Sequence, residues 1–159
     1  YRAIHPMGRV PVLEDGDVRV MESGAILEYL ITRHGAGRFR PAPDSVDYPA
    51  YLQWLHYAEG MLMPPINACV VEMFFVAADR KSEVHIARAK KLLDRMLLAL
   101  NDELAGKEYL AGGFAADVMT GSAAMSARDI GMDMSELPHL SAYIARLEAR
   151  SAYQVAVAL

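Results

Sequence analysis

One cysteine, Cys69, is all that this chain of 159 residues contains. That scarcity excludes an internal disulfide framework and a cysteine-based zinc site. Basic residues are not in excess: 16 Lys and Arg against 20 Asp and Glu leave a net charge of −4, so no positive field invites nucleic acid. Apolar runs stop well short of the ~20 residues a membrane span needs, and no signal-peptide pattern is visible. The five histidines show no HExxH or paired spacing, so no metal site is expected. Glycine is not clustered as a phosphate loop requires; Gly8 stands alone and Gly112-Gly113 reads as a turn. No internal repeat or low-complexity tract stands out. What remains is an ordinary globular composition, 53% apolar and 23% charged, consistent with a reduced, intracellular, soluble protein.

The most informative stretch is Gly8-Arg9-Val10-Pro11-Val12-Leu13-Glu14-Asp15-Gly16, closed by Met21-Glu22-Ser23-Gly24-Ala25-Ile26. Val10, Val12 and Leu13 have strand character, and Pro11 cannot donate to a ladder. Asp15-Gly16 between apolar runs is a hairpin signal. Val18 and Val20 alternate with Asp17 and Arg19, as in a strand with one wet face. Glu22-Ser23-Gly24 then puts a carboxylate and a hydroxyl near the first amides of a helix. Ala25, Ile26, Leu27, Tyr29, Leu30 and Ile31 make that short helix, with Glu28, Thr32 and Arg33 outward. It leaves at His34-Gly35.

Residues 36–47, with Gly37, Pro41 and Pro43, read as a linker, and everything downstream is helical. A long helix begins near Tyr48-Pro49 with Asp47 as its cap, and its stripe is Tyr51, Leu55, Ala58 and Leu62, with Leu52 and Trp54 beside it. Pro64-Pro65 is expected to kink or break it. Helix resumes over 66–76, followed by a polar connection near Asp79. A second long helix places Val84, Ala87, Leu92, Met96, Leu97 and Leu100 inward and ends at Ala105-Gly106. A buried helix over 115–130 is apolar or small nearly all round, Val118 included. An amphipathic helix over 138–150 follows, with Leu140, Tyr143, Ile144 and Leu147 on one face; residues 151–159 are too short to assign.

His-Pro-Met-Gly-Arg-Val-Pro-Val-Leu-Glu-Asp-Gly, followed by Glu-Ser-Gly-Ala-Ile-Leu-Glu-Tyr-Leu, resembles the second half of the glutathione-binding domain of the cytosolic glutathione S-transferases. The likeness continues through Tyr51, Trp54 and Pro64, through Leu110-Ala111-Gly112 before Ala115-Ala116-Asp117-Val118, and through Pro138-His139-Leu140. One position departs from it. Where relatives commonly carry Ser or Thr three residues before the aspartate, this chain has Phe114, so half of a capping box is missing; Ser151 also replaces a common proline. The resemblance implies an α+β, mostly α fold. Residues 1–35 would be part of a thioredoxin-like domain, 36–47 a linker, and 48–159 an all-helical domain. It also implies a preceding β-α-β unit of about 30 or more residues that this chain does not contain. A hairpin alone is marginal without such support.

The resemblance further implies roles. Glu22 and Ser23 would hold the γ-glutamyl end of glutathione, although the pair alone fits a plain helix cap equally well. Val10-Pro11 would be cis and present the Val10 backbone to the cysteinyl unit. Only about 5–6% of X-Pro bonds in folded proteins are cis, so a trans edge proline is the alternative. Arg9 would meet the glycine carboxylate, or be an ordinary solvated arginine; His5 would line the same end, or merely precede Pro6. Tyr57 and Met61 would line a pocket for an apolar electrophile, the second substrate, while the ten methionines otherwise fill core. Cys69 reads as a buried, inert thiol. The thiol-activating residue is expected upstream of Tyr1, and Tyr1 itself precedes the wrong strand to serve. The implied protein is a cytoplasmic homodimer that conjugates glutathione, its co-substrate, to apolar electrophiles in detoxification, with no metal, nucleic acid or membrane partner. A non-catalytic binding or assembly module and a glutathione-dependent isomerase or thiol transferase are the alternatives.

Overall fold

The computed structural model describes residues 1–112 and 115–158. Strand β1 (Val12–Asp15) pairs antiparallel with β2 (Val18–Met21), Val12 opposite Met21 and Asp15 opposite Val18. The reversal therefore falls on Gly16-Asp17, one residue later than Asp15-Gly16 suggested. Gly16 has φ +60°, and glycine at the first central position suits a tight hairpin turn. Val10 lies ahead of the strand and is 80% exposed. Nothing in the hairpin is fully buried.

Helix α1 (Ser23–His34) follows at once. Only Ile31 of its residues is buried. Glu28, expected outward, is instead half-buried against the next helix. Gly35 ends α1 in right-handed conformation, and its need for glycine is steric: a Cβ there would stand 2.3 Å from the Ile31 carbonyl oxygen.

Helix α2 (Tyr48–Tyr57) opens without a side-chain cap, Asp47 offering only its backbone carbonyl to Tyr51. The expected stripe of Tyr51, Leu55, Ala58 and Leu62 is buried. Pro64-Pro65 does not break the helix. The chain passes through a π-helical turn (Ala58–Leu62) into α3 (Met63–Val70), with the Met63 amide bonding the Ala58 carbonyl. Prolines crowd the carbonyls one turn back and bring no amide; a wider turn before them relieves both problems. A second π-turn (Val71–Phe75) and a 3-10 turn (Ala78–Arg80) complete this arm.

Helix α4 (Glu83–Glu103) is capped by the Ser82 hydroxyl, which accepts from the His85 amide. Leu93, Met96, Leu97, Leu100 and Leu104 are its buried row. Val84 and Leu92, expected inward, are 67% and 44% exposed. The four-residue spacing from Leu93 to Leu97 sets the face, and Leu92 sits one position off it.

Helix α5 (Ala115–Asp129) is the centre of the bundle, packed by α2, α3 and α6. Val118 is its exception, turned outward. The reading of Phe114 and Gly113 lies outside the described residues. Small residues permit close approach: a Cβ on Gly121 would come within 2.2 Å of Leu147 Cδ1. Helix α6 (Pro138–Glu148) receives its cap from a distance, because Asn101 Oδ1 on α4 accepts the His139 and Leu140 amides at 3.0 and 3.2 Å. A short α7 (Ser151–Val157) ends the described chain.

Candidate functional site

The hairpin register decides what meets at its open end. With Val12 opposite Met21, the residues just outside the ladder, Val10-Pro11 on one strand and Glu22-Ser23 on the other, face each other at the start of α1. The Val10-Pro11 bond is cis. Glu22 has φ 72° and ψ 124°, a positive-φ conformation outside the usual regions that costs a non-glycine residue about 1–3 kcal/mol. Its carbonyl still accepts the Ile26 amide, while no side chain caps the helix start. The leading amides of α1 therefore point out unclaimed by their own chain, as an anion site requires.

The side chains around this corner are free. Among the described residues, no hydrogen bond or ion pair engages Glu22, Ser23 or the Arg9 guanidinium. The approach segment is held firmly by other groups. Tyr1 Oη donates to the Arg9 carbonyl at 2.8 Å, and Arg19 bridges Glu14 and the Ala3 and Ile4 carbonyls. His5 is buried, its Nδ1 accepting the Met7 amide at 3.1 Å. It builds the loop from within and presents no edge outward. The arrangement offers a carboxylate, a hydroxyl, helix amides and a guanidinium on a braced loop, a set suited to a zwitterionic peptide.

Tyr57 and Met61 fall elsewhere. Tyr57 packs edge-on to Trp54 at 5.0 Å and donates its hydroxyl to the Met96 carbonyl at 3.3 Å. Burial pushes that phenol's pKa up. Met61 is exposed in the π-turn. Neither lines the cavity of about 630 Å³ that runs from Leu27 and His34 of α1 to Val118 and Met125 of α5 and Tyr153 of α7. Cys69 is fully buried and its thiol pKa is raised by desolvation.

Two polar clusters away from the corner escaped the sequence reading. Asp15, at the hairpin tip, takes His34 Nε2 at 2.8 Å and the Tyr29 hydroxyl at 3.0 Å. Those hydrogen bonds, His34 first, hold its carboxyl below the usual range. Glu28 accepts the Tyr51 hydroxyl and pairs with Arg40 Nη1 at 3.3 Å. The one local signal was the four-residue spacing of Glu28 and Thr32, both of which meet Arg40.

Known proteins share this pattern. The family "Glutathione S-transferase, N-terminal domain" matches residues 1–38. Glutathione S-transferase 4 of Zea mays is 35% identical over 164 residues, covering 96% of this chain and 70% of its own length. The chain belongs to the glutathione S-transferase family. Glutathione S-transferase 3 of Schizosaccharomyces pombe is 33% identical over 124 residues, 70% of this chain and 50% of the relative. The chain thus spans between half and about two-thirds of these two transferases. A sphingomonad glutathione S-transferase, solved with glutathione bound, superposes with a TM-score of 0.83 at 28% identity, over 98% of this chain and 76% of that one. The hairpin and α1 are accordingly the end of a thioredoxin-like domain, and the helices after them are the all-α domain of the transferase fold. Among the described residues no group of His, Cys, Asp or Glu is arranged to hold a metal ion, and no helix is long and apolar enough to cross a membrane.

Proposed function

We propose that the open end of the hairpin grips glutathione and that the complete protein adds the thiol of glutathione to an apolar electrophile. The observation that carries this reading is the uncapped start of α1, flanked by unengaged Glu22 and Ser23 and set across the hairpin end from Val10-Pro11. In it, Glu22 meets the γ-glutamyl ammonium, and the Ser23 hydroxyl with the α1 amides meets the adjoining carboxylate. The Val10 backbone pairs with the cysteinyl unit ahead of Pro11, and Arg9 takes the glycine carboxylate. His5 contributes by shaping the loop. Glutathione bound in the sphingomonad relative supports the ligand. Conjugation needs a thiolate, which an activating side chain outside Tyr1–Leu159 would stabilise. The electrophile would lie against the helical arm, with Met61 and the Tyr57 ring as its apolar wall. The reading extends to residues 1–35, 36–47 and 48–159 as partial domain, linker and helical domain, and to a cytoplasmic homodimer in detoxification.

Retention on immobilised glutathione tests the grip. Ser23→Ala in the complete protein is expected to elute at about tenfold lower free glutathione, the scale of one hydrogen bond to a charged group. Unchanged retention would overturn the assignment. Turnover of an aromatic electrophile by the parent protein is the accompanying measurement. Retention without turnover would make the protein a glutathione-binding module.

A further inference from the structure

Glu28 is the place where three separate segments meet on one carboxylate. It sits on α1, five residues after Ser23. One oxygen accepts the hydroxyl of Tyr51 from α2, and the other pairs at 3.3 Å with Arg40 from the segment between the helices. Arg40 also reaches Thr32 Oγ1 at 3.3 Å, one turn further along the same face of α1. Tyr51 is completely buried and stacks on Tyr48 with ring centroids 6.1 Å apart. Burial, then the Glu28 carboxylate, raises its pKa, so the phenol stays a donor.

Towards the helical domain, α1 has few apolar contacts. Ile31 is its one buried residue, and Leu27 is the partly buried apolar neighbour in the core. Contacts of that kind resist separation but are non-directional, leaving roll about the helix axis and sliding along it weakly defined. A carboxylate held on both oxygens by partners from two other segments defines both. The α-helix is stiff, and Glu28 lies about 7–8 Å along the axis from Ser23 at 1.5 Å per residue. Displacement at Glu28 is therefore carried to the amides at the α1 start.

We propose that Glu28 is a positioning residue: through Tyr51 and Arg40 it sets the roll and height of α1 on the helical domain, and so places the Glu22-Ser23 corner for glutathione. This rests on the reading of that corner as the glutathione grip. Glu28 touches no ligand in it.

Calorimetric titration of glutathione into the complete protein tests the proposal, well below the unfolding midpoint of every variant. Glu28→Ala is expected to bind about tenfold more weakly, comparable with the loss of one charge-assisted hydrogen bond. Glu28→Gln keeps an acceptor for Tyr51 and is expected to stay within about threefold of the parent, the conservative change restoring most of the affinity. A purely stabilising Glu28 would lower the melting temperature and leave the dissociation constant of the folded protein unmoved. Ser23→Ala runs alongside. If it weakens binding while Glu28→Ala stays within twofold of the parent, the positioning role alone is overturned. If Ser23→Ala binds as the parent does, the grip itself is misassigned and the positioning role falls with it. Should Glu28→Ala fail to fold, Tyr51→Phe takes its place, and parental affinity in that variant overturns the proposal.

Discussion

The hairpin corner and the helical bundle solve opposite problems with the same residue types. In the bundle, buried polar groups are fully engaged: Asp117 accepts the Leu110 and Ala111 amides and the Tyr143 hydroxyl, Thr120 donates to the Trp54 carbonyl, and Asn101 caps α6. In the corner, the side chains of Glu22, Ser23 and Arg9 are unengaged among the described residues, and the backbone at Glu22 is strained. Burial separates the two as sharply. No residue of β1 or β2 is fully buried, whereas most of α5 is. The lesson is a division of labour. Stability resides where polar groups have found partners inside the protein, and the proposed grip on glutathione sits where they have not.

The largest expected effect attacks the satisfied side. Asp117→Ala strands the Leu110 and Ala111 amides, and should lower unfolding stability by about 2–4 kcal/mol, read from the urea midpoint. Tyr143 is held neutral by burial first and by Asp117 second, and its hydroxyl keeps the residue-117 backbone carbonyl as an acceptor at 3.1 Å. A loss below about 1 kcal/mol would mean that water enters and the bundle is less dry than described. Next comes the unsatisfied side. Arg9→Ala should weaken glutathione binding by about 1.5–3 kcal/mol while shifting stability by less than about 0.5 kcal/mol. An equal fall in both quantities would erase the contrast between the regions.

Glu22→Gly sharpens the contrast further. Removing Cβ from a position at φ 72° should stabilise the fold by about 1 kcal/mol in thermal unfolding. The same change removes the carboxylate, so affinity for glutathione should fall as stability rises. The smallest effect concerns the Asp15 clasp. Its carboxyl is held below the usual range in the folded state, so the contribution is present above the ordinary carboxylate pKa and disappears as pH falls through the lowered folded value. Asp15→Asn should therefore differ from the parent in urea midpoint at pH 6, with the gap beginning to narrow near about pH 4 and closing only below the lowered folded value. A gap that persisted in acid would assign the contribution to Asn–His hydrogen bonding instead.

Much was legible along the chain because it is local. Gly16 at a reversal, alternation through Val18 and Val20, an apolar row from Tyr51 to Leu62 and a lone buried thiol each follow from neighbours within a turn or a strand. The cis Val10-Pro11 bond was legible only by comparison with a family. The misreadings are also instructive. Pro64-Pro65 forbids ordinary helix geometry, yet a π-turn accommodates it without a break. Glu28 looked like a solvent-facing charge because Tyr51, its partner, is 23 residues away. Val84 and Leu92 have inward chemistry, but only the neighbours of α4 decide which face is covered.

The sequence by itself determined the element types, the hairpin and the mostly helical fold, since periodicity and turn chemistry are properties of adjacent residues. Tertiary structure alone decided which polar groups are engaged. Asn101 caps a helix 38 residues away, Asp15 at the hairpin tip meets His34 at the end of α1, and Glu28 joins two other segments. Pairings of this kind depend on how elements dock, and docking is set by packing across the whole chain, where no short stretch carries the information.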